Sequence, residues 1–300
     1  MRALSTSAKK RSRVVLAYEE AAPSSAAAAC SSAAAPSSPA RAAAAAAAAA
    51  EPLPTSPARG WGKAREPNAH WEAQLAAIKA MRALGGSASS AAVDTMGCNK
   101  CADPAATEVD QRFQTLVSLM LSSQTKDEVT YATCLRLRAL PGGFTARNLA
   151  AMGSDEISAV LLGPPAVGFW KKKGEFLASA SRHCSEKLAG DIPDSVAALC
   201  ELKGVGPKMA FIAMHSAWGK NVGIGVDTHV HRIANRLGWV KSTAPELTQA
   251  HLQSWLPREH WDCLNELLVG FGQTVCKPVA PRCGECDARL ICPSSTSKKK

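Results

Sequence analysis

The sequence predicts an all-α protein. Apolar residues recur at helical spacing along most of residues 71–271, and no stretch of useful length alternates apolar and polar residues as a strand would. Aromatic residues make up only 5 % of the chain, which further disfavours an all-β fold. Residues 21–59 differ in composition from the rest of the chain, since they are nearly all Ala, Ser and Pro. Residues 1–66 are therefore predicted to form a disordered leader.

The composition excludes several classes of protein. With 46 % hydrophobic and 20 % charged residues, the chain is globular. The longest apolar run, Ala42–Ala50, is far shorter than the roughly 18 residues of a membrane-spanning helix, so no membrane span is expected. The net charge of +10 favours a polyanionic partner without requiring one. Eleven cysteines without a secretory segment favour a reduced compartment and metal or cluster ligation over disulfides.

The leader carries targeting signals. Its first 18 residues hold five basic and no acidic residues, which suits a mitochondrial transit peptide, and Lys9–Arg13 suits a nuclear signal. A solvated basic tail is the remaining interpretation. We therefore expect the protein in the nucleus and the mitochondrion.

Local signals locate the helices and their ends. Thr125 and Glu128 form a capping-box pattern, so a helix is predicted to start at Thr125 and to leave Gln124 in a tight turn, where its side chain can project outwards. Pro207 opens a helix that Gly219 ends. Other helices are predicted over 193–202, 228–236 and 245–256, and the apolar patterns within 71–81, 113–122 and 264–271 each mark a further helix.

Cys276, Cys283, Cys286 and Cys292 are spaced C-x6-C-x2-C-x5-C. Four thiolates so close in sequence suit either tetrahedral Zn²⁺ or an iron–sulfur cluster. Zinc sites more often use two C-x2-C pairs, and the uneven spacing here favours something larger than one ion. A second C-x2-C pair, Cys98–Cys101, has no partner pair nearby and is predicted to be incidental.

Leu202–Lys208 joins two short helices through a turn that contains Gly204 and Gly206. Such a turn presents backbone N–H groups at a helix N-terminus, where a phosphate oxygen binds. Lys208 lies at the positive end of the helix dipole, a place where a structural cation is disfavoured. It is therefore a candidate nucleophile, provided that it is desolvated or has a base beside it, and a phosphate contact is the alternative.

Asp227 is the candidate base or electrostatic partner of that lysine. Taken alone it is an N-cap of the following helix, and the two roles are compatible. His229 and His231 lie two residues apart on that helix and face different ways, which argues against a metal site formed by the pair.

Together these features resemble the endonuclease III family of base-excision DNA glycosylases, and most closely its eukaryotic members. The resemblance covers about residues 70–294 and includes Leu119–Asp127, Val226–Arg236 and Leu268–Gly272. It implies a helix-hairpin-helix glycosylase fold with the active-site cleft between two helical domains. The implied segments are a leader at 1–66, a six-helix domain at 106–221, a cluster domain at 67–105 and 222–294, and a basic tail at 295–300.

The resemblance also implies roles for single residues. Lys208 matches the nucleophile and Asp227 the essential aspartate, while the four cysteines match the ligands of a [4Fe–4S] cluster. Gln124 matches the residue that fills the space vacated in the duplex, and Phe169 matches the wedge beside the opposite base. The implied DNA-backbone contacts are Gly204, Val205, Gly206, Lys277 and Arg282. Lys203 replaces the usual proline of the hairpin, and Gly163–Pro165 resembles a small insertion before Phe169.

The implied activity is that of a bifunctional glycosylase and AP lyase, acting as a monomer on double-stranded DNA that carries oxidised pyrimidines or abasic sites. Three alternatives remain at this point: a monofunctional glycosylase, whose adenine-removing branch lacks a lysine at the position of Lys208; an inert DNA-binding or redox-sensing protein; and a zinc-ribbon nucleic-acid binder.

Overall fold

The computed structural model describes residues 66–297, and within that range the chain is helical and has no β-strand. The predicted all-α class is therefore confirmed. The helices are α1 (Trp71–Arg82), α2 (Ala92–Met96), α3 (Glu108–Ser122), α4 (Asp127–Arg138), α5 (Ala146–Ala151), α6 (Ser154–Leu162), α7 (Trp170–Lys187), α8 (Val196–Glu201), α9 (Pro207–Trp218), α10 (Thr228–Arg236), α11 (Pro245–Trp255) and α12 (Trp261–Thr274).

Two of the predicted segments lie mostly or partly outside the described residues. Of the leader at 1–66 only Glu66 is described, and the basic tail at 295–300 is described as far as Ser297. None of the helices in the described part of the chain is both long and apolar enough to cross a membrane.

Helix α9 begins and ends where the sequence predicts. Pro207 is its first residue, because its missing N–H would have no partner there in any case. Gly219 follows its last residue at φ +64°, a left-handed conformation that glycine adopts without steric cost. The predicted bounds of this helix are confirmed.

Two predicted helix starts are wrong. Helix α4 begins at Asp127 after Lys126, not at Thr125, because the Thr125 hydroxyl is occupied as an acceptor for Lys173 Nζ at 2.9 Å. Helix α8 begins at Val196 and not at Pro193, because the hydroxyl of Ser195 accepts a hydrogen bond from Ala198 N at 3.3 Å and caps it.

A first buried cluster is built on α3. Phe113, Leu116 and Leu121 are fully buried between α3 and its neighbours α4, α7 and α9. Removing each such side chain from water contributes about 1.5–3 kcal/mol, so this helix anchors the lobe that carries both the glycine hairpin and Gln124. Cys101 packs into this cluster, although it precedes the domain boundary predicted at residue 106.

A second buried cluster joins α1 to α10, α11 and α12. Trp239 is fully buried and donates from Nε1 to Gln74 Oε1 at 2.6 Å, while Gln74 Nε2 donates to Ile291 O at 2.8 Å. These bonds attach α1 to the segment that holds the last cysteine of the C-x6-C-x2-C-x5-C motif. The division into domains itself stays a prediction.

One side chain connects the two clusters. Gln273 of α12 donates from Nε2 to Asp127 Oδ2 at 2.7 Å, and its Oε1 accepts from Val93 N at 3.0 Å. Because both ends of the amide are used, α12 is held at a fixed position against the start of α4. The Gln124 turn immediately precedes that start.

Candidate active site

The glycine hairpin connects α8 to α9 and depends on Gly204. This residue has φ +88°, and a Cβ built on it would lie 2.4 Å from the ring of Phe176. Val205 is buried and anchors the turn, and its N–H donates to Leu202 O at 3.0 Å. Gly206 has open space where a side chain would stand. Only glycine fits at 204, whereas 206 leaves room for a partner to approach.

Lys208 is the second residue of α9 and is exposed to solvent. The fold therefore does not supply the burial that a nucleophilic lysine can use to lose its proton, and a neighbouring group or the docked partner must do so. Its charge acts on His229, as does the charge of Asp227. The predicted nucleophile and the predicted aspartate therefore both lie within electrostatic range of His229.

Asp227 is the N-cap of α10, as predicted. Its Oδ1 accepts from Val230 N at 2.8 Å, and the residue is half-buried. An N-cap carboxylate lies at the positive end of the helix dipole. The carboxylate therefore lies at the start of α10, where its charge acts on His229.

His229 is a member of this site that sequence reasoning missed. Burial lowers its pKa; Asp227 opposes the shift, and the cations Arg232 and Lys208 reinforce it. Nδ1 lies 3.2 Å from Nη2 of Arg232, and a guanidinium only donates, so Nδ1 accepts. The lowered pKa and this contact both favour the neutral ring with its proton on Nε2.

Asp127 was also missed. Burial raises its pKa, and the charges of Glu128 and Asp227 act in the same direction, while the hydrogen bond from Gln273 lowers it. Together with Lys208 it completes what we call the charged cluster: Asp127, Lys208, Asp227 and His229. Its members come from the starts of α4, α9 and α10, and no local spacing in the sequence reveals that they meet.

Gln124 and Phe169, the two predicted wedge residues, occupy similar turns. Both are exposed and both have left-handed backbone, at φ +50° and +57°. Gln124 separates α3 from α4, and Phe169 immediately precedes α7. The turns touch, since a Cβ built on Gly168 would lie 2.9 Å from Gln124 O. The predicted turn at Gln124 is confirmed.

A surface pocket of about 270 Å³ opens between these turns and the hairpin. Its lining residues are Met120, Ser123, Gln124, Phe169, Lys172, Lys173, Phe176 and Gly204. Gln124, Phe169 and the hairpin therefore border one continuous surface.

The four cysteines of the C-terminal motif are neighbours in space. Burial raises the pKa of Cys286 to about 11, and the charges of Cys292, Cys276 and Cys283 all act on it in the same direction. Nevertheless, no three or more His, Cys, Asp or Glu side chains among residues 66–297 are grouped closely enough to hold a single metal ion. Four thiols carried by one loop are a donor set for a metal ion or an iron–sulfur cluster.

Arginines hold this cysteine loop, residues 276–292. Arg236, which sequence reasoning missed, donates from Nη1 to Lys277 O at 2.7 Å and to Cys276 Sγ at 3.5 Å. Arg282 donates from Nη2 to Thr274 O at 2.9 Å and pairs through Nη1 with Glu285 at 2.9 Å. Of the two predicted phosphate contacts, Lys277 is exposed, whereas Arg282 already has partners within the loop.

Comparison with known proteins identifies the family. The family model described as HhH-GPD superfamily base excision DNA repair protein matches residues 117–258. The chain is 46 % identical over 248 residues to Endonuclease III-like protein 1 of Gallus gallus, covering 82 % of this chain and 83 % of that protein. It is 47 % identical over 227 residues to Endonuclease III-like protein 1 of Bos taurus, covering 75 % of this chain and 72 % of that protein.

Solved structures agree with this result. A trapped endonuclease III–DNA covalent intermediate superposes with a TM-score of 0.57 at 25 % identity, covering 61 % of this chain and 84 % of that one. A non-covalent endonuclease III–DNA complex has the same TM-score and identity and covers 64 % of this chain and 88 % of that one. The high identity to the curated relatives, over most of both lengths, establishes that this chain belongs to the endonuclease III homologues, a family of base excision repair DNA glycosylases/AP lyases.

Proposed function

We propose that this glycosylase removes oxidised pyrimidines from double-stranded DNA through a Schiff base on Lys208, and then cuts the strand on the 3′ side of the abasic site by β-elimination. One observation carries the proposal: Lys208, at the start of a helix behind a glycine hairpin, shares an electrostatic neighbourhood with Asp227 and His229.

The reaction begins with base extrusion, since the C1′ atom of a stacked nucleotide cannot be reached. Flipping costs a few kcal/mol, and least for a damaged base that stacks poorly. Gln124 and Phe169 are exposed on adjoining turns, so their side chains can enter the gap left in the duplex and offset part of that cost. Phe169 supplies an aromatic face for stacking.

The Lys208 amine then attacks C1′ of the deoxyribose. A bond forms between Nζ and C1′, and the bond from C1′ to the base breaks, so the base leaves with that electron pair and takes up a proton. Asp227 accepts the proton that the ammonium gives up, or stabilises the positive charge that develops on the sugar. DNA docking over the exposed Lys208 would remove water from it and strengthen both effects.

The C1′–O4′ bond of the sugar ring then breaks as the nitrogen lone pair forms the C1′=N bond, and O4′ takes up a proton. The resulting iminium makes the C2′ hydrogen acidic. Loss of that proton and departure of the 3′ phosphate complete the β-elimination, and hydrolysis of the imine frees the enzyme. His229 is neutral and carries a proton on Nε2, so it can donate a hydrogen bond next to these atoms but does not add a positive charge that would oppose the iminium.

The DNA backbone would contact the hairpin and the cysteine loop. Gly206 leaves its backbone open to a phosphate, and Lys277 is an exposed cation. Arg282 is exposed as well, and one nitrogen of its guanidinium is paired with Glu285. The similarity to two solved endonuclease III–DNA complexes supports a DNA interface of this kind.

We further propose that Cys276, Cys283, Cys286 and Cys292 hold a [4Fe–4S] cluster. Their mutual proximity and their uneven C-x6-C-x2-C-x5-C spacing support this assignment. When bound, such a cluster would supply four thiolate–iron bonds that fix the course of the loop, and Arg236 would support it from outside. This proposal also includes the six-helix domain at 106–221 and the flanking cluster domain at 67–105 and 222–294. It further includes targeting of the leader to nucleus and mitochondrion.

Borohydride trapping tests the central step. Reduction during turnover on a thymine-glycol duplex should join the wild-type protein covalently to DNA, because borohydride converts the Schiff base into a stable amine. Lys208→Ala should bind the duplex and never become trapped.

Lys220→Ala is the matched control. Lys220 is exposed just beyond the other end of α9 and pairs with Asp194 at 3.6 Å, so its removal changes the net charge by the same amount without touching the charged cluster. It should be trapped as efficiently as the wild type. Trapping of Lys208→Ala, or none of the wild type, would contradict the proposed chemistry.

A further inference from the structure

Lys173 is an unusual member of a run of three lysines. Lys171 and Lys172 are exposed, whereas Lys173 is only 6 % exposed. Burial lowers the pKa of Lys173 to about 8. A buried cation costs free energy unless it is fully hydrogen-bonded, so a lysine at this position calls for an explanation beyond the filling of space.

The ammonium of Lys173 is fully used. Nζ donates to Leu121 O at 2.7 Å, to Ser123 O at 2.7 Å and to the hydroxyl of Thr125 at 2.9 Å. These acceptors lie on both sides of Gln124, which itself is left-handed at φ +50°. A cation beside the last carbonyls of α3 also interacts favourably with the negative end of that helix dipole.

The same residue is bonded to the second turn. Lys173 N donates to Phe169 O at 3.0 Å, and Phe169 is left-handed at φ +57°. Gly168 allows the two turns to touch, because any side chain there would meet Gln124 O. Lys173 therefore hydrogen-bonds to the turn of Gln124 through its side chain and to the turn of Phe169 through its main chain.

We propose that Lys173 is a positioning residue that joins the Gln124 and Phe169 turns into one preformed wedge, so that both side chains enter the duplex together. The assignment of these two side chains to the gap rests on the function proposed above. Lys173 touches neither the substrate nor the charged cluster. Its contribution is to hold two strained turns in the conformation that insertion needs, which is how preorganisation lowers a barrier.

A change of Lys173→Met keeps the aliphatic stem and removes the ammonium. We expect the single-turnover excision rate on a thymine-glycol duplex to fall by about ten- to a hundredfold, the range that small misplacement of positioning groups produces. Borohydride trapping on a single-stranded abasic oligonucleotide should keep the wild-type rate, because no opposite strand has to be wedged. A purely structural role would lower both rates together.

Two further variants keep the test decisive. Lys171→Met removes an exposed charge from the same helix and should match the wild type on both substrates. Thr125→Val removes one acceptor of the ammonium and should reproduce a smaller part of the duplex defect, even if Lys173→Met folds poorly. The double variant should be no slower than Lys173→Met alone, since both changes break one network.

A readout without chemistry separates this inference from the proposed function. In a duplex with a tetrahydrofuran abasic analogue opposite 2-aminopurine, insertion of the wedge should change the 2-aminopurine fluorescence for the wild type and Lys171→Met, and much less for Lys173→Met. A wild-type response from Lys173→Met, no response from the wild type, or equal loss of rate on duplex and single strand would overturn the role of Lys173. Failure of the wild type to become trapped would instead overturn the Schiff base alone.

Discussion

The cysteine loop and the charged cluster are built in opposite ways. All four cysteines lie within residues 276–292, and their spacing alone indicates a metal centre. The charged cluster draws Asp127, Lys208 and Asp227 from the starts of three helices, and a hydrogen bond from Gln273 of α12 holds the first of them. The cysteine loop is therefore a local structure, whereas the charged cluster depends on the whole fold.

The largest effect is expected from removing one of the four cysteines of the loop. Cys286→Ser should leave the purified protein colourless and without iron or acid-labile sulfide, since a hydroxyl is a poor substitute for a soft thiolate ligand. Cys200→Ser, at a half-buried cysteine of the first lobe, should retain both. Elemental analysis checks this prediction, and zinc in place of iron in the wild type would show that the loop holds a single ion.

The next effect separates the two roles of Asp227. Asparagine is as good an N-cap as aspartate, so Asp227→Asn should unfold at nearly the wild-type urea concentration while its single-turnover rate falls by about 10²- to 10⁴-fold, as for loss of a proton-transfer group. Asp227→Ala should lose the same rate and, in addition, about 1 kcal/mol of unfolding free energy. Equal rates for Asp227→Asn and wild type would mean that the carboxylate only caps α10.

Local signals account for what the sequence predicts correctly. Proline at the start and glycine at the end define α9, and an aspartate caps α10, because each depends only on neighbouring residues. The prediction fails at Thr125, where a buried lysine from α7 competes for the hydroxyl that a capping box would use. Such competition is decided by packing and has no sequence signal of its own.

The same reasoning explains the residues that were missed. His229 was considered only as a metal ligand, because its neighbours on the helix say nothing of Lys208 or Asp127. In the sequence, Lys173 cannot be distinguished from the two exposed lysines before it, and only the folded structure shows that it is buried. The predicted roles of Gln124, Phe169 and the hairpin stay predictions, although their turns have the expected form.

A smaller effect distinguishes the two glycines of the hairpin. Gly204→Ala should cost about 1–2 kcal/mol of unfolding free energy from the left-handed backbone alone, and more from the clash with Phe176. Gly206→Ala, at φ −102° with open space around it, should lose only the preference of an N-cap for glycine over alanine, a smaller cost than at Gly204, and should bind undamaged duplex more weakly. Chemical unfolding and DNA titrations check both. Equal stabilities of the two variants would contradict the geometry of the hairpin.

The smallest effect concerns His229. Burial lowers the pKa of His229 in the folded state. As the pH falls, the ring is therefore protonated in the unfolded chain before it is protonated in the folded protein. The stability gained from the neutral ring is consequently lost as the pH falls below about 6.5. Relative to His229→Gln, the wild type should therefore lose up to about 1.4 kcal/mol for each pH unit until the folded ring also protonates. Urea unfolding of both proteins between neutral and mildly acidic pH measures the difference. A constant difference would indicate that His229 is not buried as described.

The most direct measurement is peptide mapping of the borohydride-reduced adduct. Digestion of the trapped wild-type protein and mass analysis of the DNA-bearing peptide should place the deoxyribose remnant on Lys208 alone, in the peptide that follows the glycine hairpin. A remnant on Lys172, Lys220 or any other lysine would contradict the account, because the nucleophile would then lie outside the charged cluster.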